Sequence, residues 1–438
     1  MNLSLLNSDI IHLNSFNPTN KTKFSLEKFV EVNVNHTNPS DFLVQESEEQ
    51  ISITPNDKNY KIVIQKSHFT IRITSFDEKT LFCEVNSRSC LANDPHPALD
   101  FFFDHTLLYG LPERVDKVIL EDTTKDKPYR LNNYDRFISE ALSKSTSYGS
   151  IPLIFSAEKG KFMCIYWANA SKNYFDLKKT NNSTNLLCFS NAADLNCYLI
   201  LATSLKDIYR KINHFFSQPP LPPYFSLGYH HSRWSFEDQK DIENLNAGFL
   251  KSQIPCDVLH LDIDYTVGFK YFTIDENKFP TPKKLVNSLL ENGRRLVVIL
   301  DPHIKKQEGY FVYDEAAKNN YFVKDKDGKE DYTNVCWPGT SCWLDFLQKN
   351  VREFWKNLIN DKRFLFSDRN VHVWNDMNEP SVFGADLPNV AMHGNAIQKY
   401  EEEGKEGLLE IEHEVMHNIY GYLQTQSTYQ GYLIIILF

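Results

Sequence analysis

Three apolar runs in the second half of the sequence each end in acidic side chains. Asp262 and Asp264 follow the first run, Asp301 follows the second, and Asp376 and Glu379 follow the third. Because buried carboxylates are costly unless they are paired, acids that recur at equivalent places predict a chemical role. The structural alternative is that an acid forms a salt bridge or caps a helix, and it stays open for Asp264 and Asp301.

Aromatic side chains accompany these acids. Trp374 lies two residues before Asp376, and Tyr265 follows Asp264. Aromatic rings stack on the apolar faces of sugars, and anionic groups stabilise the oxocarbenium-like transition state of glycoside cleavage. The pattern therefore favours sugar chemistry, although Trp374 could pack in a core and Met377 could fill a gap in the packing.

Alternating strands and helices would bring these acids together. Apolar runs near residues 225, 258, 296 and 371 predict four strands. Helices are predicted between them, one beginning with a capping box at Ser235 to Asp238 and another at Thr281-Pro282. This alternation predicts a parallel α/β sheet of the (β/α)8 barrel type, in which functional groups lie just past the carboxyl ends of the strands.

The first half of the sequence has a different pattern. Ile62 and Ile64, and then Ile71 and Ile73, alternate with polar residues at the period of two that is typical of half-buried strands. Further short strands are predicted near residues 81–85, 118–120, 151–155 and 162–167. Together these segments predict an N-terminal β-sandwich.

A proline-rich segment at residues 218–223 separates the two patterns, because proline at this density continues neither a helix nor a central strand. The predicted organisation is a β-sandwich domain at 1–217, a linker at 218–223, a partial catalytic barrel at 224–431 and an aberrant apolar tail at 432–438. The tail is too short to span a bilayer.

The composition narrows the class of protein. The chain has 438 residues and a net charge of −10, without a long basic stripe, so nucleic acid is a poor candidate partner. The N-terminus lacks the basic and apolar regions of a signal peptide.

Of the eight cysteines, Cys83 and Cys90, and Cys336 and Cys342, are close enough in sequence to bridge in an oxidising compartment, and free thiols are the alternative.

Several motifs resemble those of glycoside hydrolase family 31. The most specific is WNDMNEP at 374–380, which is similar to the nucleophile signature of the family. Other segments resemble its first three barrel strands, its substrate-lining loop and its N-terminal β-domain: LGYHHSRW at 227–234, HLDIDY at 260–265, VILDPHI at 298–304, CWPG at 336–339 with LDF at 344–346, YGLPER at 109–114, and YRLNNYD at 129–135. The resemblance covers about residues 60–430 and is strongest to the branch with glucosidase II α-subunits and neutral α-glucosidases.

The resemblance implies a galactose mutarotase-like β-sandwich, the first half of a (β/α)8 barrel, and a retaining α-glucosidase that needs no metal or other cofactor. Asp376 would be the nucleophile that forms a glycosyl-enzyme intermediate. Asp262 and Asp135 would bind glucose hydroxyls, and Glu379 and Asp301 would support the site. The walls of the glucose subsite would be Ile299, Trp337, Trp374 and Met377.

The sequence also departs from the family. A retaining enzyme needs a second carboxyl group as acid/base, and in this family it lies in a Trp-Thr-Gly-Asp-Asn-like motif well past the nucleophile. Neither that motif nor the preceding Ser-Arg-Ser-Phe-like segment occurs here. We therefore expect the chain to be truncated before the acid/base motif, through an incomplete gene model or a genuinely short protein.

Three functions remain open. The first is an α-glucosidase that trims glucose from N-glycans in the lumen of the endoplasmic reticulum, with a possible non-catalytic β-subunit, or a neutral enzyme that acts on α-1,4-linked glucose. The second is a catalytically dead sugar-binding fragment. The third, a metal-dependent barrel hydrolase that uses Asp262, Asp264, Asp301 and His303, explains the acids less well.

Overall fold

The computed structural model describes residues 2–7, 9–15, 24, 26–86, 96–135, 144–158, 160–360, 362–383, 390–402 and 404–437. The chain divides into two compact units. The first comprises Met1–Pro219 and Glu414–Asn418, and the second comprises Pro220–His413 and Ile419–Phe438. The short return of the chain into the first unit is a feature that the sequence patterns do not predict.

The first unit is built almost entirely from strands. In chain order they are β1 (Asn2–Leu6), β2 (Ile10–Ser15), β3 (Phe42–Glu46), β4 (Gln50–Pro55), β5 (Tyr60–Gln65), β6 (Thr70–Ser75), β7 (Leu81–Asn86), β8 (Ala98–Phe103), β9 (Leu108–Gly110), β10 (Tyr129–Leu131), β11 (Leu153–Glu158), β12 (Lys161–Trp167), β13 (Asn173–Lys179), β14 (Thr184–Ser190) and β15 (Leu195–Ala202), followed by helix α1 (Leu205–Phe215).

These strands form two antiparallel sheets around one core. The sheet orders are β1-β2-β15-β12-β11-β9 and β10-β13-β14-β8-β7-β6-β5-β4-β3. Leu13 and Ile165 of the first sheet share a buried apolar cluster with Ile62 and Ile73 of the second. Ile62, Ile71 and Ile73 of the alternating segments thus lie in the core with Ile64 partly buried against it, and the predicted β-sandwich is confirmed.

Two details of the first unit differ from the sequence pattern. The predicted strand at 118–120 is wrong, because only Ile119 makes a single antiparallel bridge and Val118 is 72% exposed. The segment meets β9 through two backbone hydrogen bonds, Gly110 N–H to the Val118 carbonyl oxygen at 3.3 Å and Leu120 N–H to the Leu108 carbonyl oxygen at 2.8 Å, and the pairing extends no further. Cys83 is a buried free thiol, and its candidate partner Cys90 lies outside the described residues.

The second unit alternates strands and helices. Its elements are β16 (His230–His231), α2 (Gln239–Ser252), β17 (Val258–Leu261), α3 (Pro282–Glu291), β18 (Arg295–Leu300), β19 (His303–Lys305), α4 (Phe311–Lys318), β20 (Thr333–Cys336), β21 (Gly339–Trp343), α5 (Lys349–Ile359), β22 (Val371–Asn375), β23 (Ser381–Val382), β24 (Val390–Ala391), β25 (Ile397–Glu401), β26 (Leu408–Glu412) and α6 (Tyr420–Leu437).

A parallel sheet in the order β16-β17-β18-β22 is the framework of this unit. The strands are joined by helical connections, which confirms the parallel α/β prediction for this part of the chain. Residues 296–300 of β18 are all buried, as expected for a strand covered on both faces. A separate antiparallel sheet, β19-β21-β20, follows β18, and Cys336 and Cys342 in it are free thiols rather than a disulfide.

The start of the first strand and the start of the first helix both differ from prediction. Residues 224–227 form a 3-10 helix instead of a strand, and parallel pairing begins only at His230. The carboxylate of Asp257 lies against Gly228 and accepts a hydrogen bond from the Tyr229 N–H at 3.0 Å. Helix α2 is capped by Asp238, which accepts from the Asp241 N–H, so the predicted cap begins three residues too early.

Helix α6 continues through the apolar segment at 432–437. Within the described ranges, the helices are either too short or too polar to cross a membrane.

Buried Asp345 fastens the β25–β26 hairpin to the region before α5. Its carboxylate accepts hydrogen bonds from Gln398 Nε2 at 2.8 Å, from the Lys399 N–H at 2.7 Å and from Gln348 Nε2 at 3.0 Å. Burial raises the pKa of Asp345 to about 6, so the group is mostly ionised at pH 7 and can accept from all three donors.

We expect Asp345→Asn to destabilise the second unit by about 2 kcal/mol at pH 7, because an amide presents its own N–H groups to buried donors. Urea unfolding checks this value. Asp327→Asn, at an exposed position in the same unit, is the matched control and should be neutral. Equal stability of the two variants would contradict the assigned role of Asp345.

Candidate active site

The parallel register gathers three carboxyl groups at one edge of the sheet. Leu300 of β18 pairs with Asn375 of β22, so Asp301 and Asp376 follow directly paired residues. Strand β17 pairs with the other side of β18 and ends immediately before Asp262. The carboxyl ends of parallel strands meet at the same edge, which is where a barrel places its functional groups.

Asp262 has one oxygen engaged by the backbone. Its Oδ1 accepts a hydrogen bond from the Ile263 N–H at 2.8 Å, which caps the 3-10 turn Ile263–Tyr265. Burial raises the pKa of Asp262, and the charge of Asp264 adds to that shift. The half-buried carboxyl group is therefore rigidly placed and retains an oxygen that can accept from a ligand hydroxyl.

Asp301 is fully buried and belongs to a short hydrogen-bond chain. The Tyr271 hydroxyl donates to Asp301 Oδ2 and lies 3.0 Å from His303 Nε2. Since the hydroxyl has one proton and gives it to Asp301, the contact with His303 requires Nε2–H to donate to the Tyr271 oxygen. Burial lowers the pKa of His303 to about 3, so this imidazole is neutral.

The environment of Asp301 disfavours a negative charge. Burial raises the pKa of Asp301 well above its usual value, and the charge of Asp376 raises it further. The charges of Asp262 and Glu379 act in the same direction, while the Tyr271 hydrogen bond opposes them. These influences favour the protonated form of Asp301, in which it adds a neutral carboxyl group beside Asp376 instead of a second anion.

The chain turns sharply directly after Asp376. Met377 has a left-handed φ of 56°, and its carbonyl oxygen accepts from the Ser381 N–H at 3.0 Å. The turn leaves Asp376 partly exposed while Met377 and Glu379 are buried. A left-handed backbone at a non-glycine residue is strained and is held by its surroundings, a feature that is common at functional sites.

Trp337 lies at the tip of the β20–β21 hairpin. Cys336 pairs with Gly339, so Trp337 and Pro338 form the turn itself. Trp337 is 38% exposed, and its ring contacts the Phe383 ring edge-on with 4.7 Å between the ring centroids. Burial raises the pKa of the Cys336 thiol, and the charges of Asp301, Glu379 and Asp376 raise it further, so the base of this hairpin lies close to the carboxyl cluster.

The other two predicted wall residues are directly paired on neighbouring strands, Ile299 on β18 and Trp374 on β22. Ile299 is buried, and its carbonyl oxygen accepts from the Tyr265 hydroxyl at 2.9 Å. Trp374 is half-buried, and its ring lies edge-on to the His260 ring with 6.1 Å between the ring centroids. Their predicted contacts with a sugar remain predictions.

Asp135 belongs to the first unit, at the end of a described segment, and its role in binding also remains a prediction.

Sequence reasoning missed Tyr271, because a tyrosine in a loop far from any strand end carries no signal of its hydroxyl contact. Among the residues that the structure describes, His, Cys, Asp and Glu side chains form no group of three or more that could hold a metal ion.

The fold and the strand-end carboxyl groups are those of a glycosidase barrel preceded by a β-sandwich, and sequence comparisons agree. A model of the glycosyl hydrolases family 31 TIM-barrel domain matches residues 219–434, and a model of the family's N-terminal galactose mutarotase-like domain matches residues 1–176. The chain belongs to glycosyl hydrolase family 31.

Among the relatives within this family are a glucosidase II alpha subunit and a neutral alpha-glucosidase. Glucosidase 2 subunit alpha of Schizosaccharomyces pombe is 37% identical over 341 residues, which are 75% of this chain and 36% of that protein. Human neutral alpha-glucosidase C is 35% identical over 363 residues, or 78% of this chain and 38% of that protein. The chain thus spans little more than a third of the length of these relatives.

Solved structures agree with these sequence matches. A crystal structure of a glucosidase II alpha subunit bound to alpha3-Glc2 superimposes with a TM-score of 0.87 at 26% identity, covering 98% of this chain and 52% of that one. A Flavobacterium johnsoniae dextranase of the same family, at 21% identity and a TM-score of 0.81, shares the fold.

The raised pKa of Asp301 leads to a prediction for Asp301→Asn. A neutral amide can replace a neutral carboxyl group, and its oxygen can still accept the hydrogen bond from the Tyr271 hydroxyl. At pH 5 this variant should be within about 1 kcal/mol of the parent chain, whereas Asp301→Ala should cost about 2–3 kcal/mol by leaving the buried hydroxyl without an acceptor. Urea unfolding measures both values.

The pH dependence gives a second readout of the same variant. A carboxyl group whose folded-state pKa is raised contributes stability that is present below its unfolded pKa, near 3.8, and is lost as pH rises towards the folded pKa. The parent chain should therefore lose up to about 1.4 kcal/mol per pH unit relative to Asp301→Asn above pH 4. A gap that stays constant from pH 4 to pH 7 would contradict a protonated Asp301.

Proposed function

We propose that this chain carries the nucleophile-bearing part of a retaining α-glucosidase centre, with Asp376 as the nucleophile. The observation that supports this most strongly is the placement of Asp376 on a strained turn at the end of β22, beside the buried carboxyl group of Asp301. Asp376 would attack the anomeric carbon of a terminal α-linked glucose and form a covalent intermediate that water then hydrolyses.

The raised pKa of Asp301 gives this proposal a physical basis. Two adjacent ionised carboxylates in a partly buried site repel each other, so one of them takes up a proton. The full burial of Asp301 favours Asp301 as the one that is neutral, against the hydrogen bond from Tyr271, which favours the carboxylate. Asp376 would be the carboxylate that attacks, and Asp301 and buried Glu379 would support it without reacting.

The remaining predicted residues would bind the sugar. Asp262 would accept hydrogen bonds from glucose hydroxyls through the oxygen that does not cap the 3-10 turn, and Asp135 would also bind glucose hydroxyls. The subsite walls would be Ile299, Trp337, Trp374 and Met377, of which Trp337 offers the most exposed ring.

The chemistry available to these residues is the first half of the reaction. A retaining glycosidase needs a second carboxyl group about 5–5.5 Å from the nucleophile to protonate the leaving group, and the sequence lacks the family's motif for it. A leaving group such as fluoride departs with its bonding electrons and needs no proton. Asp376 can therefore be tested separately from the acid/base.

We further propose that the natural substrate is an N-glycan with terminal α-1,3-linked glucose in the lumen of the endoplasmic reticulum. Support comes from a related glucosidase II alpha subunit solved with alpha3-Glc2 and from a glucosidase II catalytic subunit solved as a heterodimer with the binding domain of its regulatory subunit. A regulatory subunit is a proposed partner for the same reason. Relatives named neutral alpha-glucosidase make α-1,4-linked glucose the second candidate.

Incubation with 5-fluoro-α-D-glucosyl fluoride tests the nucleophile. Asp376 would form a bond to the anomeric carbon as the carbon–fluorine bond there breaks, and fluoride would be released. Intact-mass spectrometry should show one added fluoroglucosyl group, and peptide mapping should place it on Asp376. Asp376→Ala should slow labelling by at least about a thousandfold.

Asp327→Asn, at an exposed position of the same unit, is the control and should label at the parent rate. Labelling of another carboxylate would disprove the assignment of Asp376. Reversible binding of the probe without covalent labelling would favour the catalytically dead sugar-binding alternative.

A further inference from the structure

The short segment Glu414–Asn418 belongs to the first unit, although the residues on both sides of it belong to the second. Its last two residues bind the loop that leads to Asp135. Asn418 Oδ1 accepts from the Asn133 N–H at 2.8 Å, and the Asn418 carbonyl oxygen accepts from Asn133 Nδ2 at 3.1 Å. His417 Nε2 lies 2.7 Å from the carbonyl oxygen of Asn133. We call these contacts the His417–Asn418 clamp.

The clamp is itself anchored to the sandwich. The Asn418 N–H donates to the carbonyl oxygen of Ala170 at 2.9 Å, and Asn418 Nδ2 donates to that of Ser171 at 2.8 Å. A single asparagine therefore connects the residues just before β13 to the loop after β10. Its side chain and backbone use both donors and both acceptors, an arrangement that leaves it little freedom to move.

His417 acts as a neutral donor. Burial lowers its pKa to about 4, and the Asn133 carbonyl oxygen next to Nε2 can only accept, so Nε2 carries the proton. With the proton there, the 3.3 Å approach of Asn132 Nδ2 to Nε2 brings two donors together and contributes no hydrogen bond.

The same loop is supported on its other side by residues 144–148. The Asn132 N–H donates to Thr146 Oγ1 at 3.0 Å, and the Tyr148 N–H donates to the carbonyl oxygen of Tyr134 at 2.9 Å. Asn133 is thus the residue that the clamp holds by its N–H, its carbonyl oxygen and its side chain. Asp135 is two residues further along, within about 7 Å of chain.

We propose that His417 and Asn418 are positioning residues for Asp135, so that the loop is ordered before a sugar arrives. The proposal rests on the proposed function, in which Asp135 binds glucose hydroxyls. An ordered loop lowers the entropy cost of binding, and the clamp should therefore affect affinity for the sugar and leave the nucleophile unaffected.

A double-mutant cycle on the full chain tests the coupling, with 1-deoxynojirimycin as the ligand in calorimetry. Asn418→Ala and Asp135→Asn should each weaken binding about tenfold, and the double variant should be no weaker than Asp135→Asn alone. At saturating 5-fluoro-α-D-glucosyl fluoride, Asn418→Ala should still label Asp376 at the parent rate. Additive losses in the cycle would overturn the proposal.

Two matched variants separate positioning from general stability. His417→Gln keeps an N–H donor at the place of Nε2 and should retain affinity, whereas His417→Leu should behave like Asn418→Ala. Glu414→Ala changes the same segment without touching the loop and should be neutral. Equal affinity of His417→Gln and His417→Leu would also overturn the proposal.

Amide hydrogen exchange tests the clamp independently of sugar binding. If the parent chain binds no sugar, only the proposed function is disproved, and the exchange experiment still tests the clamp. In Asn418→Ala, the amides of residues 133–135 should exchange at least about tenfold faster, with β10 and β13 protected as in the parent chain. Unchanged protection of the Asn133 amide would show that the clamp does not order the loop, and the proposal would fail.

Discussion

The crowding of carboxyl groups at one edge of a parallel sheet is the constraint on which the rest of the second unit depends. The register of β17, β18 and β22 places Asp262, Asp301 and Asp376 at neighbouring strand ends, where three full negative charges would repel each other strongly. Full burial of Asp301 raises its pKa and so relieves this repulsion by favouring a neutral form of one member of the cluster, while the Tyr271 hydroxyl satisfies one of its oxygens. The cluster then keeps all its carboxyl oxygens available for hydrogen bonds, and the electrostatic repulsion within it is smaller than between three anions.

The surrounding elements hold this arrangement in place. The left-handed turn at Met377 leads the chain away so that Asp376 stays accessible, and the β20–β21 hairpin brings Trp337 to its tip beside the cluster. His303 completes the chain of hydrogen bonds to Asp301 from the strand that follows β18. Each of these supports is a loop or a short strand, and each depends on the rigid parallel sheet for its position.

The sequence predicts the framework well because its signals are local. The period of two at residues 62–64 and 71–73 specifies two half-buried strands, the uniformly apolar run at 296–300 specifies a fully buried strand, and the structure has all three. The strand ends follow from these runs, so the placement of Asp262, Asp301 and Asp376 was predictable. The 3-10 helix at 224–227 was not, because the apolar run there resembles a strand and carries no mark of the local hydrogen bonds from Ser226 and Gly228. The contact of Tyr271 and the clamp by Asn418 are tertiary and have no local pattern.

The central claim is that burial and the neighbouring acids raise the pKa of Asp301 and favour its neutral form beside Asp376. Carbon-13 NMR of aspartate labelled at the side-chain carboxyl carbon tests it directly, with Asp301→Asn used to assign the resonance. The account predicts that the Asp301 signal titrates well above the ordinary aspartate value of 3.8, and that it keeps the chemical shift of a protonated carboxyl group where a free aspartate is already ionised. An Asp301 signal that titrates near pH 4 would contradict it.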